Sequence, residues 1–128
     1  MSTHAIIAKK QPDGQYKAVY LHFDGYPEWA GLILKLHYKE EEKIDALLNL
    51  GNISVIAPNR VPDPTKKHNF NIEKGSRQED VCLFYGRDRG EPGEEAQMFH
   101  SLFYVKGAYG ASYMYVWENG QWETTPLY

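Results

Sequence analysis

The sequence predicts an α+β domain in which an antiparallel sheet of about five strands carries two or three helices on one face. Three observations support this reading. Segments rich in β-branched and aromatic residues flank turn signals near both ends of the chain, Gln11-Pro12-Asp13-Gly14 and Asn119-Gly120. Between them, residues 27–38 and 40–50 repeat apolar side chains at helical spacing. The length, 128 residues, suits a single domain.

Thr3 to Ala8 and Tyr16 to Phe23 read as a β-hairpin, with Pro12 pre-setting φ and Gly14 supplying a positive φ between them. Alternation along the second strand assigns Val19, Leu21 and Phe23 to the core and Ala18, Tyr20, His22 and Asp24 to the other face. After Asp24-Gly25, Pro27 and Glu28 suit the first turn of a helix. Trp29, Leu32, Ile33 and Leu36 then form an i, i+3, i+4, i+7 stripe, so a helix reaching about Tyr38 should cover that core. A second helix runs from Glu40 or Glu41 to Leu50, with Ile44, Leu47 and Leu48 inward and Gly51 ending it in the left-handed conformation. The acidic run Glu40-Glu41-Glu42 is either its favourable first turn or an acidic recognition patch.

Ile53 to Ile56 reads as a short strand or extended segment. Residues 57–80 hold Pro58, Pro62, Pro64 and Gly75 with few apolar residues, a connection long enough to be a binding loop or an insertion. Val81 to Tyr85 is a buried strand. Glu94 to Tyr104 carries a helical stripe in Met98, Phe99 and Leu102, although Phe103-Tyr104-Val105 also suits a strand. Ser112 to Glu118 and Gln121 to Thr125 flank Asn119-Gly120, a type I′ hairpin signal that sets Trp117 opposite Trp122 and Tyr115 opposite Thr124. With helices on one side only, Tyr20, Tyr113, Tyr115, Trp117 and Trp122 are expected to form an aromatic surface on the other, a mark of a partner interface or of self-association.

Composition narrows the function classes. A net charge of -3 and a pI near 5.9 give no global basic field, which disfavours nucleic-acid binding. The single cysteine, Cys82, lies in the apolar run Val81-Cys82-Leu83-Phe84 and reads as a small buried hydrophobe. No basic leader with an apolar core and no run of about 18 apolar residues is present, so a cytoplasmic protein without membrane attachment is expected. The histidines at 4, 22, 37, 68 and 100 lack metal-ligand spacing, and neither a metal nor a cofactor is expected. A phosphate-binding loop and a nucleophile elbow are both absent.

Two polar runs stand out. His22 and Asp24, two apart at a strand end, resemble half of a general acid–base pair, with Tyr26 beside them as a packing residue or as a hydroxyl donor to a ligand. Asp24-Gly25 is equally a turn signature. Arg87, Asp88 and Arg89 come after the other strand. The two guanidinium groups suit a clamp for phosphate or carboxylate, or else a surface ion-pair network with Glu91. If both runs leave one end of the sheet, His22, Asp24, Tyr26, Arg87, Asp88 and Arg89 make one ligand site, with His22 and Asp24 as its candidate catalytic residues.

The runs Met1-Ser2-Thr3, His22-Phe23-Asp24-Gly25-Tyr26-Pro27, Leu50-Gly51-Asn52-Ile53-Ser54 and Tyr85-Gly86-Arg87-Asp88-Arg89-Gly90-Glu91 resemble a family of small proteins from tailed bacteriophages, prophages and plasmids. Members typically begin Met-Ser-Thr-Arg and carry His-Trp-Asp-Gly-Tyr-Pro and Arg-Asp-Arg-Gly-Glu-like motifs; here His4 and Phe23 depart from that pattern. The resemblance spans nearly the whole chain and brings no established activity. It implies an accessory protein of a mobile element that acts in the bacterial cytoplasm, countering host defence or modulating a host protein. The leading expectation is therefore a non-enzymatic binder, with self-association allowed, of a host protein or a small anionic, nucleotide-like ligand. The alternative is a small enzyme acting on a phosphate-containing substrate, with His22 as acid or base, Asp24 orienting it and Arg87 and Arg89 stabilising anionic charge.

Overall fold

A computed structural model describes residues 3–68 and 77–127. Met1-Ser2 of the amino-terminal resemblance and the Gly75 portion of the expected long loop lie outside the described residues. The first hairpin forms as the sequence predicts: β1 (Ala5–Lys10) pairs antiparallel with β2 (Tyr16–Leu21). So does the last, β6 (Tyr113–Glu118) with β7 (Gln121–Pro126), in which Trp117 faces Trp122 and Tyr115 faces Thr124. Asn119 and Gly120, at φ of 55° and 75°, close that turn with both central residues left-handed.

The sheet is larger than expected and mixed. Between the hairpins lie β3 (Ile53–Val55), β4 (Leu83–Phe84) and β5 (Gln97–Phe99). The seven described strands run in the order β4-β3-β2-β1-β6-β7, with β5 paired to β2 beyond that path. β1 runs parallel to β6, and β2 runs parallel to β3. The second parallel pair results from the helices between β2 and β3, since a chain that crosses one sheet face through helices returns in its original direction. β1 is central, and its run Ala5-Ile6-Ile7-Ala8 is apolar on both sides because both sides are covered. Ala5 and Ile7 face the larger core with Val19, Leu21, Ile53 and Tyr115. Ile6 and Ala8 face a smaller one with Ala18, Met114 and Val116.

Helices therefore cover both faces, not one. α1 (Leu32–His37) and α2 (Glu41–Asn49) roof the larger core through Ile33, Leu34, Ile44, Leu47 and Leu48. The short α3 (Tyr85–Arg89) leads directly out of β4. α4 (Leu102–Ala108) lies on the smaller core through Val105 and Leu102. Lys9, on the α2 side of β1, is ion-paired to Asp45 at 2.7 Å and Glu41 at 3.1 Å, so part of the acidic run has a structural partner.

Three local expectations are corrected. Pro27–Gly31 is a π-turn, in which the Leu32 amide reaches back to the carbonyl of Pro27. The extra residue rotates the phase of α1, so Ala30, Ile33, Leu34 and Tyr38 are buried while Leu32 and Leu36 are 48% and 55% exposed. Phe23 also leaves the core. The consecutive amides of His22 and Phe23 both donate to β3, to the carbonyls of Ile53 and Ser54, which breaks the alternation of an ideal ladder and turns Phe23 outward. Finally, residues 94–104 are not one helix: Gln97–Phe99 pairs with β2, placing Phe99 opposite Tyr16, and the helix begins only at Leu102. Cross-strand pairing there outweighs the helical spacing of Met98 and Leu102.

The buried stripe on α1 predicts that Leu34→Ala loses about 2–5 kcal/mol of stability, as large-to-small core changes do. Leu32→Ala should lose less than about 0.5 kcal/mol, as an exposed change does. Urea unfolding of the two variants checks this, and equal losses would contradict the π-turn phase.

Candidate functional site

The 22–26 run begins where β2 ends against Ile53. His22 lies on the sheet face opposite α1 and α2, stacked on His4 with ring centres 4.5 Å apart and edge-on to Phe23 at 4.4 Å. Its Nδ1 is 2.9 Å from the Tyr20 hydroxyl, and its carbonyl is 2.6 Å from His4 Nδ1. Partial burial disfavours the charged ring, and the neighbouring His4 adds to this, so the His22 pKa falls below its ordinary 6.5. The orienting group is thus Tyr20, two residues earlier on the same face, and not Asp24. Asp24 adopts φ of 55°, a conformation Asp tolerates, and is exposed. Gly25 passes so close to β1 that a Cβ would sit 2.7 Å from the Ala5 Cβ, and its amide donates to the Thr3 carbonyl at 2.8 Å. Tyr26 is exposed, and its carbonyl accepts the amides of Trp29 and Ala30.

The 85–91 run has a different role. Asp88, with 5% of its side chain exposed, accepts the Phe84 amide at 2.8 Å and both Nε and Nη2 of Arg87, at 2.9 and 3.0 Å. Arg87 also donates Nη1 to the Arg60 carbonyl at 2.6 Å and Nη2 to the Cys82 carbonyl at 3.0 Å, while its guanidinium lies 4.7 Å from the centre of the Phe84 ring. This clamp grips the protein's own backbone, fastening the segment after β3 to the edge strand β4. His68 reinforces it: Nε2 donates to the Cys82 carbonyl at 2.8 Å and Nδ1 accepts the Gln78 amide at 3.0 Å. Arg89 is paired with Glu91 at 3.4 Å. Cys82 is buried, and burial raises its pKa, as expected of an inert core thiol.

β2 and β4 flank β3, one parallel and the other antiparallel to it, so the two polar runs leave the sheet in opposite directions. Among the described residues, no hydrogen bond, ion pair or ring contact joins His22 or Asp24 to Arg87 or Asp88. His22 gathers with His4, Tyr20 and Phe23; Arg87 and Asp88 gather with Arg60, His68, Cys82 and Phe84. Nor do the described residues contain a group of three His, Cys, Asp or Glu side chains placed to hold a metal ion.

The expected aromatic surface is not exposed. Tyr115 and Trp117 belong to the larger core beneath the helices, and Tyr113 and Trp122 pack against it. The Trp122 indole donates to the Tyr38 carbonyl at 2.8 Å. Tyr20 lies on the other face, stacked with Tyr109 at 5.8 Å. An exposed apolar ridge occurs elsewhere, on β5 and α4: Met98, Phe103 and Tyr104 are 49%, 78% and 58% exposed. They border a groove of about 740 Å³ shared with Phe99, His100 and Lys106. The sequence signal for it is the adjacency of Phe103 and Tyr104, because neighbouring residues on a helix cannot both join Val105 in the core.

None of the described helices is long and apolar enough to cross a membrane. Comparison with protein families, with curated proteins and with solved structures finds no match in any of the three.

The lowered pKa of His22 sets a pH dependence. Unfolded imidazole takes up its proton near 6.5, the folded one only at lower pH, so the unfolded state binds more protons as pH falls through this window. The contribution linked to the neutral His22 ring is therefore present above about pH 6.5 and lost progressively as pH falls below it. The thermal midpoint of His22→Gln should fall less between pH 7 and pH 5 than that of the parent. Parallel curves would contradict the assignment.

Proposed function

We propose that this chain is a non-enzymatic binding protein that docks onto another protein through the ridge on β5 and α4. The observation that supports it is the exposure of Phe103 and Tyr104 beside Met98, around the 740 Å³ groove. Burying a side chain of this size against a partner contributes about 1.5–3 kcal/mol. Aromatic residues and methionine are also the side chains enriched in the centres of protein interfaces. Lys106 and His100 border the groove, so an acidic rim on the partner would match this one.

The resemblance to bacteriophage, prophage and plasmid proteins suggests the setting: an accessory protein in the bacterial cytoplasm whose partner is a host protein, a counter-defence role being the natural one. The phosphate-substrate enzyme has less support, because Arg87 is engaged by the protein's own carbonyls and His22 by Tyr20.

Tagged parent protein and a Phe103→Ser/Tyr104→Ser double variant, used as bait in bacterial lysate, test this reading. The parent should retain at least one host protein that the double variant loses, with the thermal midpoint of the bait unchanged. Identical captured sets would overturn it. A concentration-dependent dimer in sedimentation that the double variant abolishes would assign the ridge to a second copy instead.

A further inference from the structure

A smaller cleft lies on the α1–α2 side of the sheet, between the start of α2 and the segment after β3. It encloses about 290 Å³ and is lined by His37, Lys43, Asn59 and Arg60 with Tyr38 and Pro58. We propose that this cleft is a binding site for a phosphate group, carried by inorganic phosphate or by a small phosphomonoester.

Charge favours an anion. The chain as a whole carries -3, yet the cleft wall holds one arginine and one lysine and no carboxylate. Of the adjacent acidic run, Glu41 is drawn to Lys9 at 3.1 Å on the sheet side of α2. A guanidinium supplies a planar fork of donors and an ammonium a compact point charge, a combination suited to a tetrahedral oxyanion. The Asn59 side-chain amide and the His37 ring add further hydrogen-bonding groups.

The scaffold is also preorganised. The backbone at Asn59 and Arg60 is fixed: the Arg60 carbonyl accepts Arg87 Nη1 at 2.6 Å, the Asn59 backbone amide donates to the Asp80 carbonyl at 2.9 Å and the Asn59 carbonyl accepts the Cys82 amide at 2.8 Å. Tyr38 is held through its hydroxyl, donated to the Ala57 carbonyl at 3.0 Å, and through its carbonyl, which accepts Trp122 Nε1 at 2.8 Å. A site whose scaffold is already ordered loses less entropy on binding. Size narrows the ligand further, since the cleft lies at the lower limit of small-molecule sites, about 300 Å³, and so suits a phosphate group with a small substituent better than a dinucleotide. Arg87, read from sequence as part of a phosphate or carboxylate clamp or of a surface ion-pair network, thus contributes from behind by holding the Arg60 backbone.

The test is an amide-resolved NMR titration of the full chain in phosphate-free buffer, with inorganic phosphate and phenyl phosphate in separate arms and sodium chloride at matched ionic strength as control. Saturable shifts confined to residues around 37–43 and 58–61 are expected with phosphate, with the tighter arm identifying the free ion or the ester. Arg60→Gln and Lys43→Gln should each weaken binding about tenfold or more. Arg60→Lys, which keeps the charge and loses the fork, should fall between, and the remote Lys10→Gln should match the parent. Shifts equal to those in chloride, saturable shifts centred elsewhere, or unchanged affinity in both glutamine variants with folded spectra would overturn the proposal.

Discussion

From the middle of the sheet, the Tyr115 hydroxyl donates a 2.6 Å hydrogen bond to the carbonyl of Gly25, 90 positions earlier in the chain. Tyr115 is fully buried, and its burial pushes the hydroxyl pKa well above the ordinary range, keeping the donor protonated. Two glycines allow the close approach around it. Gly25 lies against Ala5 and Thr3 with no space for a Cβ, and a Cβ on Gly31 would stand 3.3 Å from the Tyr115 ring. One side chain therefore joins β6, the turn after β2 and the π-turn that launches α1. A buried hydroxyl that loses its partner costs about 1–3 kcal/mol, so each of these elements is held in place by the other two. The last hairpin anchors the same roof at its far end through Trp122 and Tyr38.

This constraint explains which features are legible in the sequence and which are not. Local signals carry through to the structure: the Asn119-Gly120 turn fixes the register of β6 and β7, and Gly51, at φ of 84°, ends the second helix where its lack of a Cβ is required. Relations between distant segments are harder to read. Two helices between β2 and β3 already demand a parallel return, but the hairpin signals at the chain ends suggest antiparallel pairing throughout. The β1–β6 pairing joins the first strand to the sixth, and no local pattern encodes it beyond the two-sided apolar character of Ala5 to Ala8. The π-turn has no periodic signature, because a stripe at 29, 32, 33 and 36 fits a regular helix as well.

The candidate sites divide in the same way. Arg87 and Asp88 stand out because charge alternates around them, and the structure uses that alternation to tie Arg60 and Cys82 together. His22 stands out beside Asp24, yet its partners Tyr20 and His4 come from its own strand face and from the chain alongside. Aromatic content points to an interface on the sheet, but the sheet aromatics are core, because helices cover both faces. The exposed aromatics belong to a helix that periodicity over 94–104 merges with a strand. Local chemistry is thus readable at each run, whereas which runs converge depends on strand directions that only the assembled sheet reveals.

The fold divides the aromatic residues, with Tyr115 and Trp117 sealed beneath the helices and Phe103 and Tyr104 left uncovered on the opposite side. Residue-resolved hydroxyl-radical footprinting of the isolated protein at low concentration measures it directly. Rapid labelling of Met98, Phe103 and Tyr104 with protection of Tyr115 and Trp117 is the predicted result; labelling of Tyr115 and Trp117 at rates matching Phe103 and Tyr104 would contradict it.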